Sequence, residues 1–516
     1  MMKHLYTLGA ILIVALSHAQ PWARTWGGID ADQVKSTAVA PDGSIYVVGS
    51  FEGVVDLDPG PGTVSATADG KDGFLSKFNT AGQLLWAARI GGPGLDECLA
   101  VAVDGAGNVI VSGLFRESID LDPGPATVQL TPTATIDFAM DGFLAKYDPA
   151  GALLWGKQAG GSTSININYL QVGANNSILA GGDFNETVDF DPGPAVHPLT
   201  AGFRSVFYCQ LDQNGSFMQA GKLGSGGATG NASGGDIAVD GTGNIFLSGL
   251  IYGTQDMDPG PGTYDLTSLA SGSAFVCKLD PNGAFLWAHA LGGEGLGVRG
   301  LIDVDAAGAV YTTGWFEGSS DFDPGPGTHV LTAVGTGGYT GDAFIQKMDG
   351  DGNFVWAKQL GGWNASLGAV MVVGPDGNIY TAGTFSAEID MDPGTDPGDT
   401  LIFRTPTTAA DGYISILSPD GDLVGAMHFS GTGAGFIQTI HPAMNGELLL
   451  SGSIFEEMDC DLGPGVDNRT SNGDLDAFLI RAALGPTAVG EITVTGSLRA
   501  YPNPSATGQF TVELPP

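Results

Sequence analysis

Short apolar segments recur along the whole chain, and stretches rich in Gly, Pro and Asp separate them. Residues 99–103 (Leu-Ala-Val-Ala-Val) and 108–113 (Asn-Val-Ile-Val-Ser-Gly) are typical examples. Segments of this length, rich in β-branched residues and bounded by turn residues, predict β-strands. Because the pattern shows no sustained helical periodicity, the sequence predicts an all-β protein.

One acidic motif shows that the strands form repeats. Asp-x-Asp-Pro-Gly-Pro-Gly, or a close variant, occurs seven times at intervals of 64 to 69 residues. Each repeat has four strand-like segments, and the motif lies between the second and the third. The third segments share a leading aromatic residue: Phe74, Phe143, Phe207, Phe275, Phe344, Tyr413 and Phe478. Seven units of four short strands predict a seven-bladed β-propeller.

The chain ends indicate how the propeller closes. The seventh repeat stops after its third segment, residues 476–482. Residues 22–28 (Trp-Ala-Arg-Thr-Trp-Gly-Gly) match residues 86–92, which form the fourth segment of the first repeat. We therefore predict that the N-terminal strand completes the last blade as its outermost strand, with Trp22 close to Arg481. This arrangement would tie both chain ends into one sheet.

Cations and tryptophans follow the same repeats. Five third segments carry a cation, and the fourth segments of the same five blades carry Trp. These cations are Lys77, Lys146, Lys278, Lys347 and Arg481. The third and sixth repeats have Gln210 with Gln219 and Ile416 with Gly425 instead. In a hairpin we expect each cation to lie diagonally from its Trp and on the indole ring. Independent drift of the two exceptional repeats is the alternative explanation.

The composition indicates which classes of molecule the protein does not bind. The chain has 56 acidic and 19 basic residues, for a formal net charge of -37. Such a field repels nucleic acid and anionic membranes. Gly (83) and Pro (29) are abundant, but the 43% hydrophobic fraction is ordinary for a folded protein and argues against disorder.

The N-terminus is typical of an exported protein. Residues 1–19 combine Lys3 with an apolar run at residues 8–16 and small residues before Gln20, which predicts a signal peptide. No later stretch is long and apolar enough to predict a transmembrane helix. The four cysteines form no Cys-x-x-Cys pair, and we expect buried free thiols at Cys98, Cys209, Cys277 and Cys460.

Two regions resemble known families. Segments such as Ile-Ala-Val-Asp at residues 237–240 and Phe-Val-Cys-Lys-Leu-Asp at residues 275–280 resemble the bacterial SBBP-type β-propeller repeat family, over roughly residues 21–483. That resemblance implies the fold and no particular activity. Residues 499–516, with Tyr-Pro-Asn-Pro, resemble the start of a type IX secretion C-terminal sorting domain. That resemblance implies secretion or attachment to the outer-membrane surface.

These observations give four expected regions. They are a signal peptide (1–19), a seven-bladed β-propeller (20–483), a linker (484–498) and the truncated start of a sorting domain (499–516).

The acidic motif is the best candidate for chemistry. We expect its two carboxylates to point to opposite sides until Pro-Gly bends the second toward the first. Such oxygen ligands suit Ca²⁺. Alternatively, each Asp hydrogen-bonds within its own turn and binds no metal. The candidate calcium ligands are Asp56, Asp58, Asp120, Asp122, Asp189, Asp191, Asp256, Asp258, Asp321, Asp323, Asp390, Asp392, Asp459 and Asp461.

Catalytic signals are weak. The seven histidines have no recurring partner, and the sequence contains neither Gly-x-Ser-x-Gly nor His-Glu-x-x-His. We therefore name no catalytic residue and no cofactor other than Ca²⁺. The first hypothesis is a monomeric, non-enzymatic binding module for an extracellular glycan or protein. The alternatives are a propeller lyase or hydrolase acting on extracellular polysaccharide, and a purely structural repeat region.

Overall fold

The computed structural model describes most of the chain. It covers residues 21–133, 138–224, 231–268, 272–292, 297–334, 341–362, 366–394, 400–405, 410–443, 446–462 and 465–483. Within these ranges the only helical segment is the short 3-10 turn Ala174–Asn176, and the other regular elements are β-strands. The expected signal peptide, linker and sorting domain lie outside the described residues.

Seven antiparallel four-stranded blades form a β-propeller, which confirms the predicted fold; the sheet of the second blade has two further short strands from the third repeat. Successive blades pack side by side, with contacts between their first strands. The strands of the first three blades, in chain order, are Gln33–Val39, Ile45–Asp56, Ser65–Phe78 and Leu84–Ile90; Asp96–Val103, Val109–Phe115, Asp141–Tyr147 and Leu153–Gly161; and Ile165–Val172, Ile178–Phe184, Ser205–Leu211 and Phe217–Leu223.

The remaining four blades repeat this order, except that the last blade takes its fourth strand from the start of the chain. Their strands are Asn231–Val239, Ile245–Tyr252, Ser273–Leu279 and Phe285–Leu291; Gly297–Val304, Val310–Phe316, Asp342–Met348 and Phe354–Leu360; Ser366–Val373, Ile379–Ser386, Ala410–Leu417 and Leu423–Phe429; and Ala434–Pro442, Glu447–Phe455, Asp476–Ala483 and Trp22–Trp26.

The predicted ring closure is confirmed. Trp22–Trp26 pairs antiparallel with Asp476–Ala483, and Trp22 lies directly opposite Arg481. Trp26 is 3% exposed and packs at 5.4 Å between ring centroids against Phe78 of the first blade. The N-terminal strand therefore contributes to the core as well as to the sheet.

The hydrophobic core is divided among the interfaces between neighbouring blades. One cluster, for example, joins Trp26 and Leu449 of the last blade to Val34 and Phe74 of the first. All seven third-strand aromatic residues are buried, at 0–1% exposure. The four cysteines are buried and free, as predicted.

The cation and Trp pairs clamp each blade to the next one. Lys77 Nζ and Trp86 Nε1 both donate to the carbonyl oxygen of Pro149, at 2.9 and 3.3 Å. Pro149 lies in the turn between the third and fourth strands of the second blade. We call this arrangement the inter-blade clamp. Four other blades form it on the carbonyl groups of Gln213, Gly350, Pro419 and Thr80.

The clamp corrects two expectations about the cation. Lys77 lies directly opposite Trp86 rather than diagonally. Its ammonium group lies over Tyr46 of the second strand, 5.0 Å from the ring centre, rather than over the indole. Lys77 and Trp86 lie side by side because both donate to the same carbonyl oxygen. The ammonium group therefore packs over the aromatic ring of the second strand instead of over the indole. Lys278 and Lys347 follow the same arrangement over Phe246 and Tyr311.

The structure also explains the two exceptional repeats. In the third blade, Gln219 Nε2 donates to the carbonyl of Pro281 at 3.0 Å and to Gln210 Oε1 at 2.8 Å, so an amide pair replaces the cation and Trp. Ile416 of the sixth blade packs in the core shared with the seventh. The third and fourth strands of the seventh blade come from opposite chain ends, so no turn joins them to offer a carbonyl. The missing pair in the sixth repeat thus lies at the junction where ring closure provides no turn for it to bind.

Candidate functional site

Each acidic motif lies at the tip of a small β-hairpin, where the sequence predicted a loop. In the first blade the hairpin extends the second and third strands, with Val54–Asp56 opposite residues 65–67. The hairpin of the third blade, Thr187–Asp189 with Pro198–Thr200, continues the sheet of the second blade, because Thr187–Asp189 pairs antiparallel with Leu153–Gly161. The other five hairpins are separate strand pairs: Ile119–Asp120 with Gln129–Leu130, Thr254–Asp256 with Asp265–Thr267, Ser319–Asp321 with Val330–Thr332, Glu388–Asp390 with Ile402–Arg404, and Glu457–Asp459 with Asn468–Thr470.

The residue between the two aspartates anchors each hairpin. It is an apolar residue or cysteine in all seven motifs and is only 0–4% exposed. These residues are Leu57, Leu121, Phe190, Met257, Phe322, Met391 and Cys460. Because side chains two positions apart in an extended segment share a face, both carboxylates lie on the side away from this anchor. The expectation that the carboxylates point to opposite sides is therefore wrong.

The aspartates hydrogen-bond within their own hairpins. Asp56 Oδ1 accepts the backbone N–H groups of Asp58 at 3.1 Å and Val64 at 2.8 Å. Asp58 Oδ1 accepts the N–H of Gly60 at 2.8 Å. The first aspartate makes two corresponding bonds in all seven motifs. These contacts have the geometry of the turn interpretation.

The fourteen candidate calcium ligands are spread around the ring, two in each blade. Among the residues that the structure describes, no three His, Cys, Asp or Glu side chains come together in a way that could hold a metal ion. Calcium binding by the acidic motifs stays a prediction.

An open groove of about 600 Å³ lies between the outer strand of the first blade and the acidic hairpin of the second. Its lining residues include Trp86, Arg89, Asp120 and Asp122. The two aspartates were candidate site residues, whereas Trp86 and Arg89 were missed as ligand-binding residues. The groove combines one aromatic surface with charges of both signs, which suits a polar ligand that has apolar faces.

A second set of acids is buried, was not predicted from the sequence, and includes the residue that binds Arg89 of this groove. Asp72 lies within the third strand of the first blade, is fully buried and binds Arg89. The equivalent residue, two positions before the buried aromatic, is Asp or Ser in every blade: Asp72, Asp141, Ser205, Ser273, Asp342, Asp411 and Asp476. That repeated spacing is the signal that could have revealed it.

The buried acids also explain the paired glycines that follow the fourth strands. A Cβ on Gly91 would collide with the Asp72 carboxylate. The N–H of Gly92 donates to Asp96 of the next blade at 2.6 Å. Burial raises the pKa of Asp96 to about 7, although the bond from Gly92 opposes that shift. The two glycines thus lie between acids from neighbouring blades.

The likeness to known proteins concerns the fold. No protein-family model matches the chain. The chain is 25% identical over 442 residues to the uncharacterized WD repeat-containing protein L264 of Acanthamoeba polyphaga mimivirus, a match that covers 72% of this chain and 31% of that protein. It is 25% identical over 167 residues to the regulatory protein FlaEY of Caulobacter vibrioides, covering 31% of this chain and 17% of FlaEY. The chain thus spans less than a third of either relative.

Solved structures with a similar fold include two polysaccharide lyases. An ulvan lyase of family PL25 has a TM-score of 0.42 at 11% identity and covers 84% of this chain and 92% of its own. The polysaccharide lyase Uly1 has a TM-score of 0.41 at 10% identity and covers 87% of this chain and 90% of its own.

No helix within the described ranges is long and apolar enough to cross a membrane.

Proposed function

We propose that the protein is a non-enzymatic binding module for an extracellular glycan or protein, and that the groove between the first two blades is its ligand site. The observation that carries this proposal is the grouping of Trp86, Arg89 and Asp122 along one open depression. An indole offers a flat apolar surface for a sugar ring or an aromatic side chain, while the charged groups fix orientation through hydrogen bonds.

The regularity of the blades supports binding over catalysis. General acid and base catalysis needs carboxyl groups held in distinct environments near one reacting bond. Here the first aspartate of every motif accepts backbone N–H groups in the same way around the ring. Repeated, equivalent carboxylates suit a structural role and a surface that presents similar polar groups.

We also propose that the protein is exported to the cell surface. Its support is the signal-like segment at residues 1–19 and the sorting-like motif at residues 499–516. When the full chain is produced in a bacterial host, we expect cleavage before Gln20, which N-terminal sequencing of the periplasmic fraction measures. Retention of Met1 on the exported protein would contradict the signal peptide.

The ligand site can be tested with two matched substitutions. Asp122→Asn removes a charge from the groove but keeps an oxygen that can accept the N–H of Gly124, which Asp122 accepts at 2.8 Å. Asp258→Asn makes the same change in the fourth blade, where Asp258 accepts the N–H of Gly260 at 2.8 Å. Binding to a glycan array and to immobilised extracellular proteins should fall at least tenfold for Asp122→Asn and less than twofold for the control.

Two outcomes would contradict the proposal. Equal binding by both variants and the unchanged protein would exclude the groove as the ligand site. Release of new reducing ends or unsaturated sugars from a polysaccharide, in an amount that exceeds the protein concentration, would show turnover and establish an enzyme.

A further inference from the structure

Two carboxylates from opposite ends of the chain meet where the ring closes. We call this junction between the seventh and first blades the seam. Asp32 precedes the first strand of the first blade, Asp476 begins the third strand of the seventh, and each is 1% exposed. The N–H of Asp32 donates to the carbonyl of Leu475 at 2.6 Å. The position that a Cβ on Gly27 would take is 3.0 Å from Asp32 Oδ2 and 2.2 Å from Asp476 Oδ1, so these oxygens are at most about 5 Å apart.

Each carboxylate has one oxygen that lacks a partner. Asp32 Oδ2 accepts the N–H of Gly28, and Asp476 Oδ2 accepts the N–H of Asn472 at 2.9 Å. Oδ1 of both aspartates is buried and has no hydrogen-bond partner within the described part of the chain. A buried acceptor without a partner costs folding free energy, and the cost is larger when the group is charged. The seam therefore has two buried oxygens that a hydrogen-bond donor or a cation would stabilise.

The matching junction between the first and second blades shows what the seam lacks. There, Asp72 and Asp96 are the equivalent buried pair, and their Oδ1 atoms likewise have no hydrogen-bond partner within the described residues, but the guanidinium of Arg89 binds Asp72. Arg89 is paired with Phe74 in the sheet, and Thr25 is paired with the equivalent Phe478. A neutral threonine thus stands at the seam where the neighbouring junction has an arginine.

The surroundings add negative charge to the seam. Asp30 and Glu52 both interact electrostatically with Asp32 as like charges. No lysine or arginine in the described ranges forms an ion pair with Asp32 or Asp476. Burial raises the pKa of both carboxyl groups. When the pair is ionised, the described residues supply no counter-ion, an arrangement that costs several kcal/mol per ion in general.

We propose that the seam binds a divalent cation, with Ca²⁺ the best match, and that Asp32 and Asp476 supply its protein carboxylate ligands. Ca²⁺ takes 6–8 oxygen ligands at about 2.3–2.6 Å, so two ligands on one ion lie no more than about 5 Å apart. Because only two carboxylates take part, water and backbone oxygens complete the shell and the affinity falls in the range of extracellular modules, about 10⁻⁴ to 10⁻³ M. The ion would fasten the first blade to the last, independently of any ligand in the groove.

Terbium luminescence tests this proposal, because Tb³⁺ replaces Ca²⁺ at oxygen sites and Trp26 lies next to Gly27. The full chain, stripped with a chelator, is titrated with Tb³⁺ while tryptophan is excited, and the bound Tb³⁺ is then displaced with Ca²⁺. We expect Ca²⁺-reversible emission that falls at least fivefold in Asp476→Asn. The control Asp96→Asn, which removes a carboxylate at the matching junction, should keep the emission of the unchanged protein.

A thermal measurement distinguishes loss of cation binding from loss of folding in the variant. Asn at position 476 can still accept the N–H of Asn472, so we expect the variant to fold, as circular dichroism would show. Raising Ca²⁺ from zero to 10 mM should raise the melting midpoint of the unchanged protein by about 1–3 °C and leave that of Asp476→Asn unchanged.

Two results would overturn the proposal. One is equal Tb³⁺ emission from Asp476→Asn and the unchanged protein. The other is a melting midpoint of the unchanged protein that does not respond to Ca²⁺, combined with a higher midpoint for Asp476→Asn at pH 8. That combination would mean that the two carboxyl groups share a proton and hold no cation.

Discussion

The N-terminal strand should contribute several kcal/mol to stability through Trp26 alone. Trp26 is 3% exposed and packs against Phe78 of the first blade and Leu449 of the seventh. Its Nε1 has no hydrogen-bond partner within the described residues, so truncation to alanine removes packing without breaking a hydrogen bond. Replacing a buried tryptophan by alanine costs about 3–5 kcal/mol.

Differential scanning calorimetry and urea unfolding can measure that loss. For a propeller of this size the unfolding entropy is roughly 1 kcal/mol per degree, so Trp26→Ala should lower the midpoint by about 3–5 °C if unfolding is cooperative. Trp22→Ala is the control, because Trp22 lies at the half-buried end of the same strand and donates to the carbonyl of Thr80 at 3.2 Å. Its cost should be about 1 kcal/mol. A Trp26→Ala protein within 1 kcal/mol of the unchanged protein would show that the N-terminal strand is dispensable for the closed ring.

Three further predictions concern the blade junctions. Gly91→Ala should lower the free energy of unfolding by about 1–3 kcal/mol, because the Asp72 carboxylate occupies the place of the new methyl group, and an unchanged urea midpoint would contradict this packing. Lys278→Met should cost about 1–3 kcal/mol in the same assay by removing the 2.7 Å bond to the carbonyl of Gly350, and a more stable variant would refute the role of the clamp. Asp96 has a folded-state pKa of about 7, above its ordinary value, so its ionisation should lower the free energy of unfolding between about pH 4 and 7, by about 4 kcal/mol at most. Asp96→Asn should remove that decline, measured by urea unfolding at several pH values, and parallel pH profiles for the two proteins would contradict the assignment.

The fold was predictable from sequence because its information is local and repeated. Seven equivalent copies of one motif set the blade number, and the match between residues 22–28 and residues 86–92 located the missing strand. The pairing of Trp22 with Arg481 confirms that inference, although the two residues are 459 positions apart.

The details of the candidate site depend on neighbouring blades, which no single repeat reveals. The position between the two aspartates looked like a spacer, yet Leu121 and its equivalents anchor the hairpin in the core. Lys77 was expected on Trp86 of its own blade, but its partner is a carbonyl of the next blade. The role of Asp72 was not predicted, because a single acid in a strand can be interpreted only when its contacts with Gly91 and Arg89 are known.

The junction between the sixth and seventh blades has neither the inter-blade clamp nor the glutamine pair that replaces it in the third blade. Six junctions have a side-chain bond from one blade to the turn of the next, whereas Ile416 and Gly425 offer only apolar contact and backbone at the remaining one. Under mechanical load or in early unfolding, the ring should part at this boundary first, and amide hydrogens there should exchange fastest. A circular permutant with its ends in another blade would move that weak point, leaving a lysine and a tryptophan with no carbonyl to bind.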